Sequence, residues 1–287
     1  MSAPVLLSDV LAELDRAYPA ELTESWDTGV GLTCGDPAEP VERVLVAVDV
    51  DPAVVDEAVA GGVQLLVTHH PLLFRAVQSV AADRDKGALV HRMIRHSVAH
   101  LAAHTNADRA ADGVNDALAR CLGLVDLRPL VPVPDQPTIG LGRIGRVDVP
   151  TDLAGFAQRV AERLPATATG VRVAGDPDRP VRTVAVLGGA GDGELSTAAS
   201  AGVDVYLTSD LRHHVVGDFV AVPGRPAVVE VAHWAGEWPW VPVAAARLRT
   251  AFPGLDVRVS HRRTDPWTFV VPSGGPATPG PGPGKVG

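Results

Sequence analysis

The sequence predicts an α/β protein of two lobes built on parallel or mixed sheets, and three observations carry that expectation. Short β-branched apolar runs such as 44–50 (VLVAVDV) and 63–67 (VQLLV) read as buried strands. Helical spacing follows each run, and consecutive βα units are most simply joined in a parallel or mixed sheet. The proline-rich stretch 129–137 (PLVPVPDQP) then breaks the series and marks a lobe boundary. The expected division is 1–128 with 229–271 as the first lobe, 129–228 as the second, and 272–287 as a disordered Pro/Gly tail with little to bury.

Bulk properties narrow the functional classes. A chain of 287 residues can bury a substantial core in one large or two moderate domains. Its net charge of -9 opposes nucleic acid as the main partner, since phosphate binding needs a basic surface. No apolar run approaches the roughly 20 residues of a membrane span. The start of the chain lacks a basic segment followed by an apolar one, so a cytoplasmic location is expected. Cys34 and Cys121 form no CxxC pair, so they are expected to be buried free thiols, and any metal site must use His, Asp and Glu.

Along the chain, Leu7, Val10, Leu11 and Leu14 share one helical face, with Ser8 or Asp9 available as a cap. The segment 26–32 (WDTGVGL) reads as a glycine-rich turn in which Asp27 closes an Asx turn or stands as an acid behind a site. Asp49 lies near the carboxyl end of the 44–50 strand, and a helix runs from Pro52 to Ala60. The next strand, 63–67, delivers His69 and His70 to a rim before Pro71 stops it; ligands gather outside such strand ends in α/β sheets. Neighbours on an extended chain point to opposite sides, so this pair is expected to serve two ions, or one ion and a substrate.

A helix is expected over 86–95 and a strand over 97–103. His96, His100 and His104 recur every four residues, but a strand ending in a polar turn fits 97–108 better than one continuous helix. On that reading His104 and Asp108 reach the rim, while His91, His96 and His100 are ordinary surface or core residues. A further helix ends at Leu122. The run 140–146 (GLGRIGR) matches neither a dinucleotide fingerprint nor a P-loop and reads as a glycine-rich strand or turn. A helix capped by Thr151 is expected over 151–164. The strand 181–187 runs into the glycine loop 188–193, which is an anion-binding loop or a simple tight turn. After the strand 203–207 come Asp210, Arg212, His213 and His214. The last expected strand is 227–232, ending in His233 and Glu237, which are spaced to meet on one helical turn.

His69 with His70, His104 with Asp108, and His233 with Glu237 thus gather at strand ends. Imidazoles with carboxylates and no thiolate suit Zn(II), Fe(II) or Mn(II). Five or six ligands exceed one tetrahedral site, and a bridging carboxylate between two ions roughly 3.5–4 Å apart is the natural arrangement.

VTHHPLLF, AHTNAD followed by DGVNDALA, TSDLRHH and HWAGE, together with WDTGVGL and GLGRIG, resemble in order and spacing the NIF-three-like family, also called GTP cyclohydrolase I type 2 homologues. The resemblance covers the chain to about residue 271. It implies a toroidal homohexamer with two divalent metal ions per subunit in a cleft between two α/β lobes. It places the metal ligands on His69, His70, Asp108, His233 and Glu237, and puts His104 behind the ligands or on the substrate side. His214 matches the histidine of the family's TGDxxxH-like segment. Ser209 and the residues Trp234-Ala235-Gly236 depart from the pattern without touching those ligands, and the chain is too short for the inserted domain that some members carry. The implied activity is metal-assisted hydrolysis of GTP, with water adding at C8, formate leaving and dihydroneopterin triphosphate forming. Arg75 and Arg212, with His214, are the candidate substrate contacts. A phosphoesterase or amidohydrolase-like enzyme, and a non-catalytic regulatory or metal-handling ring, are the alternatives.

Overall fold

The computed structural model describes residues 4–272 and arranges them on two mixed sheets. The expected tail therefore lies outside the described residues beyond Pro272. The first helix, α1 (Leu7–Ala17), buries Leu7, Val10 and Leu14 on one face. Neither expected cap serves as N-cap; instead Asp9 reaches back to accept the Leu6 N–H at 2.9 Å. Part of the expected turn is a strand, β1 (Gly31–Cys34), and β2 (Arg43–Ala47) follows. Pro52 opens α2 (Pro52–Ala60) and Asp51 caps it by accepting the Val54 N–H at 2.8 Å. Then come β3 (Leu65–Thr68), α3 (Asp85–Arg95), β4 (Ala99–Ala102), the short α4 (Thr105–Arg109) and α5 (Val114–Cys121). His96, His100 and His104 accordingly fall on a helix end, a strand and the start of a second helix.

The second half opens with a long hairpin, β5 (Leu124–Val133) and β6 (Gln136–Asp152). The proline-rich stretch lies within this hairpin and is not an irregular connection. Pro129 and Pro132 are tolerated because β5 is the edge of its sheet, where a missing N–H need not break a ladder. Asp152, not Thr151, caps α6 (Leu153–Arg163), accepting from Gly155 N at 2.7 Å. After β7 (Arg172–Ala174), β8 (Pro180–Ala190) and α7 (Leu195–Ser200) come β9 (Val205–Ser209), α8 (His213–Val220), β10 (Ala227–Glu230), α9 (His233–Glu237) and α10 (Trp240–Ala251). The chain has one strand more than expected after 227–232: β11 (Asp256–Val259), four residues of alternating exposure that return to the first sheet parallel to β2.

The sheet orders are β1-β4-β3-β2-β11 and β5-β6-β8-β9-β10-β7. Strands β2, β3 and β4 run parallel, as do β8, β9 and β10. The second sheet takes in Leu124–Val133 and Ala227–Glu230, so its strands overlap the expected limits of the first lobe by a few residues at both joins. Helix α5 ties the halves together: Val114 and Ala117 pack in the core under the first sheet, and Leu118, Ala119 and Leu122 enter the core of the second. Cys34 and Cys121 are both free, and both are half-buried.

A buried arginine makes a second tie. Arg143, on β6, is 2% exposed and donates to the carbonyls of Gly140 (2.6 Å), Gly142 (2.8 Å) and Ala110 (3.0 Å) and to Asp116 Oδ2 (2.6 Å). Removing one member of a buried pair strands the other charge. Arg143→Met is expected to cost about 3–5 kcal/mol of stability by chemical denaturation, whereas the exposed Arg146→Met is expected to cost well under 1 kcal/mol.

His100 supplies a pH-dependent element. It lies wholly buried on β4, and burial, with Lys86 adding to it, pushes its pKa down to about 3. Thr68 Oγ1 donates to the His70 carbonyl, so at 2.8 Å it accepts from His100 Nε2. Because the folded value lies below the unfolded one of about 6.5, the unfolded chain takes up the proton first as pH falls. The contribution is complete above about pH 6.5 and is lost on the way down to about 3. Between pH 7 and pH 5 the parent protein is expected to lose about 2 kcal/mol more stability than His100→Leu.

Candidate metal centre

Residues just past five strand ends converge in the cleft between the sheets. His69 and His70 follow β3, Asp49 follows β2, and β4 leads into His104 and into Asp108 on α4. From the second sheet, Asp210 follows β9, and β10 leads into α9 with His233 and Glu237 one helical turn apart. The strand ends at Thr68, so His69 and His70 are past the alternation that would send them to opposite sides. Their rings lie 5.0 Å apart and both face Glu237.

Glu237 is the centre of the cluster. Its Oε1 is 3.0 Å from His233 Nε2 and 3.3 Å from His69 Nε2, and its Oε2 is 3.1 Å from His70 Nε2. His233 Nε2 and His70 Nε2 are 3.2 Å apart, and Asp108 Oδ1 stands 3.7 Å from His69 Nε2. Among the described residues two groups have ligand atoms close enough for one ion each: His69, His70 and His104, and His70, His233 and Glu237. His104 is thus offered as a ligand atom beside His69 and His70, closer in than its expected place. Gly189, at φ +79°, makes room for the carboxylate, since a Cβ there would lie 2.6 Å from Glu237 Oε1. The end of β8 is therefore a wall of this cluster: Thr208 and Tyr206 donate to the carbonyls of Gly189 and Gly191, a 3-10 turn spans Asp192–Glu194, and α7 begins at Leu195.

The imidazoles share one orientation. His69 Nδ1 faces the Ala103 carbonyl at 2.8 Å, which can only accept, so Nδ1 carries a proton and Nε2 is the nitrogen turned inward. His70 Nδ1 is held by Asp49 at 2.6 Å, His104 Nδ1 by Asp27 at 2.8 Å and His233 Nδ1 by Asp210 at 2.7 Å. Oxygen behind Nδ1 with Nε2 turned to a common point is the arrangement of metal-binding histidines. Asp27 also closes its own turn by accepting from Gly29 N, so both roles considered for it coexist. Asp49 and Asp210 carry the same kind of support, and only their positions just past strand ends hinted at it.

The electrostatics agree with a cation site. Burial opposes charge on His70 and dominates singly, yet Glu237 and Asp49 together overcome it and push its pKa up to about 10. At His233 the Glu237 carboxylate acts most strongly and, with Asp210, raises the pKa to about 11. Burial pushes Asp108 up to about 6 and His104 down to about 4, while the three imidazoles hold Glu237 well below the usual range against its burial. His69 Nε2, Asp108 Oδ1 and Glu237 Oε2 are buried without a well-aligned hydrogen-bond partner, although His70 Nε2 stands 3.1 Å from the last of them. Such atoms are costly unless something electropositive joins them, and the donor set suits Zn(II), Fe(II) or Mn(II).

The expected substrate contacts are not brought to this place. Above the cluster opens a cavity of about 460 Å³ lined in part by Asp49, His70, Phe74, His104 and Asp210. Arg75 is exposed and outside the lining, His214 is exposed on α8, and Arg212 pairs with Asp192 at 2.7 Å beside a different cavity.

A model of the family Duf34/NIF3 (NGG1p interacting factor 3) matches residues 5–266. The chain belongs to the NIF3 family. A Streptomyces coelicolor protein named GTP cyclohydrolase 1 type 2 homolog is 51% identical, over 93% of this chain and 95% of its own length. A Mycobacterium tuberculosis protein of the same name is 38% identical over 92% and 97%. Among solved structures, a Bacillus cereus protein related to NIF3 superposes with a TM-score of 0.84 at 25% identity, over 94% of this chain and 100% of that one. A Staphylococcus aureus hypothetical protein gives 0.84 at 26%, over 93% and 100%. The two mixed sheets are thus a NIF3 arrangement.

In this NIF3 protein the acids behind the imidazoles invite a direct test. Asp49→Ala and Asp210→Ala are each expected to weaken divalent metal binding about 10–100-fold, measured by competition with a chromogenic chelator.

Proposed function

We propose that the chain is a dinuclear metal-binding protein and a metal-dependent hydrolase of the GTP cyclohydrolase 1 type 2 kind. The observation that carries this reading is the set of four imidazoles each backed by an oxygen at Nδ1, three of them turning Nε2 to Glu237 and the fourth, His104, standing beside His69 and His70. The names of the curated relatives support it. His69, His70, Asp108, His233 and Glu237 would hold the ions, with His104 beside them. Bound divalent ions supply Lewis acidity and bring water within reach of ionisation near neutral pH. His104, its Nδ1 tied to Asp27, stands beside His69 and His70 and would orient the attacking water by a hydrogen bond or add a ligand atom. The expected chemistry is addition at C8 of the purine and loss of formate.

The likeness to the family also leads us to propose a homohexamer as the working state, with lobes divided near the joins described above. Among the described residues no helix is long and apolar enough to cross a membrane, and we propose a cytoplasmic location.

Protein purified without chelator is expected to carry about two transition-metal ions per chain, by elemental analysis, and to release formate from GTP. Glu237→Ala is expected to lose most of the metal and to drop turnover to background. Full metal content with turnover no higher than that of the variant would reject the hydrolase and leave a metal-handling protein. Absence of metal would reject both.

A further inference from the structure

The cleft continues past the cavity described above. A second cavity, of about 660 Å³, shares Asp49, His70, Pro71 and Thr264 with it, so the two form one trough that passes over His70. Its arms differ in character. The first is walled in part by Phe74, Trp234 and Pro266 and has neither Lys nor Arg in its lining. The second runs along α3 and carries Lys86 and Arg92. A ligand lying across the centre therefore meets apolar surface at one end and two cations at the other.

The charge of Lys86 is uncommitted. Nearby, Arg84 pairs with Asp83 and Arg92 with Asp56, whereas Lys86 has no ion-pair partner among the described residues. Arg92 engages Asp56 through one nitrogen of its guanidinium, which leaves other N–H donors to spare. Carboxylates also line this arm, but they are occupied or placed by the fold. Asp49 is committed to His70 and Thr264, and Asp51 caps α2. Asp85 lies in the first turn of α3, where the helix itself favours a carboxylate. Two divalent ions in the cluster would outweigh the carboxylates of Glu237 and Asp108 that hold them, which adds positive charge where the arms join.

We propose that Lys86 and Arg92 are specificity-determining residues that receive the phosphate chain of the ligand, with its uncharged part turned into the other arm and its reacting atom over the ions beside His70. The proposal rests on the reading of the cluster as an active centre and adds the direction in which a phosphorylated ligand lies there. Lys86 and Arg92 are six residues apart on α3, about 9 Å along the axis, so they meet different phosphates of one chain and do not share one. Their contribution consequently rises with the number of phosphates, whereas a single phosphate is served by the metal alone.

The test uses orthophosphate and tripolyphosphate on the purified, metal-containing protein, by calorimetry at low and high salt, each supplied with magnesium so that it does not strip the centre. Tripolyphosphate is expected to bind the more tightly and to lose that advantage in high salt. Lys86→Gln and Arg92→Gln are each expected to weaken tripolyphosphate about tenfold, the scale of one hydrogen bond between charged groups, and orthophosphate less than about twofold. Lys86→Arg is expected to restore most of the loss. Arg146→Gln removes the same charge from an exposed place on β6 and is expected to change neither ligand. Melting temperature and metal content are expected to stay at the parent values. Reductive methylation read by mass spectrometry gives an independent measure, because Lys86 and Lys285 are the lysines of the chain. Bound tripolyphosphate is expected to slow labelling of Lys86 and to leave that of Lys285 unchanged.

The proposal is overturned if tripolyphosphate binds no tighter than orthophosphate, or if neither Gln variant weakens it more than Arg146→Gln does. Labelling of Lys86 that bound tripolyphosphate leaves unchanged would also overturn it, as would variants that act only by losing metal. Binding is read without turnover, so the two readings fail separately. Tripolyphosphate held by Lys86 with no formate released from GTP defeats the hydrolase alone, and formate release whose KM for GTP is indifferent to Lys86→Gln defeats this proposal alone.

Discussion

Glu237 is a carboxylate taken out of water, and a charge so placed survives only where opposite charge or several donors surround it. Three imidazoles provide that surrounding, and each is brought from a strand end that must arrive within about 3 Å of the same two oxygens. His69 and His70 come from the first sheet, whereas His233 and Glu237 come from the end of the second. The cluster therefore requires the two sheets to meet with their parallel strands aimed into one cleft. Much of the remaining architecture can be read as the means of holding that meeting fixed.

The support is layered outward from the carboxylate. Behind the imidazoles stand Asp49, Asp210, Asp27 and the Ala103 carbonyl, each fixing a ring by its Nδ1 proton. Beyond these, Arg143 grips the Ala110 carbonyl just past the helix that carries Asp108, and so couples the hairpin of the second sheet to the first lobe. Gly189 contributes by what it lacks, since any side chain there would occupy the space of the carboxylate. These contacts are local in geometry and distant in sequence, which is why a one-dimensional pattern records them poorly.

What the sequence made legible follows that division. His69, His70, Asp108, His233 and Glu237 stand beside strand ends that periodicity can locate, and the structure gathers all five. Asp49 and Asp210 need only offer one oxygen each to a ring, a task without spacing or neighbours to betray it. The prolines at 129–137 were legible as breakers but not as residues of an edge strand, because edge status depends on which strand lies alongside. Arg143 was hidden in a glycine run read as a strand or turn, and Gly140 is there to let β6 pass close to β5, a Cβ at that position falling 2.0 Å from the Val131 carbonyl. Strand β11 was too short for its alternation to stand out.

Asn115 draws one more consequence from the joint between the lobes. Its side-chain amide donates to the Asp108 carbonyl at 2.9 Å and accepts from the Gly188 N–H at 2.9 Å, so one planar group bridges the helix of one carboxylate and the strand wall behind the other. Prising the sheets apart would break both bonds in a fully buried place. A two-lobed enzyme often selects its substrate by closing around it, with hinge motion as part of the cycle. Here the lobes are already clasped. A ligand of this cleft would therefore meet an entrance of set width, whose shape and surface would do the sorting.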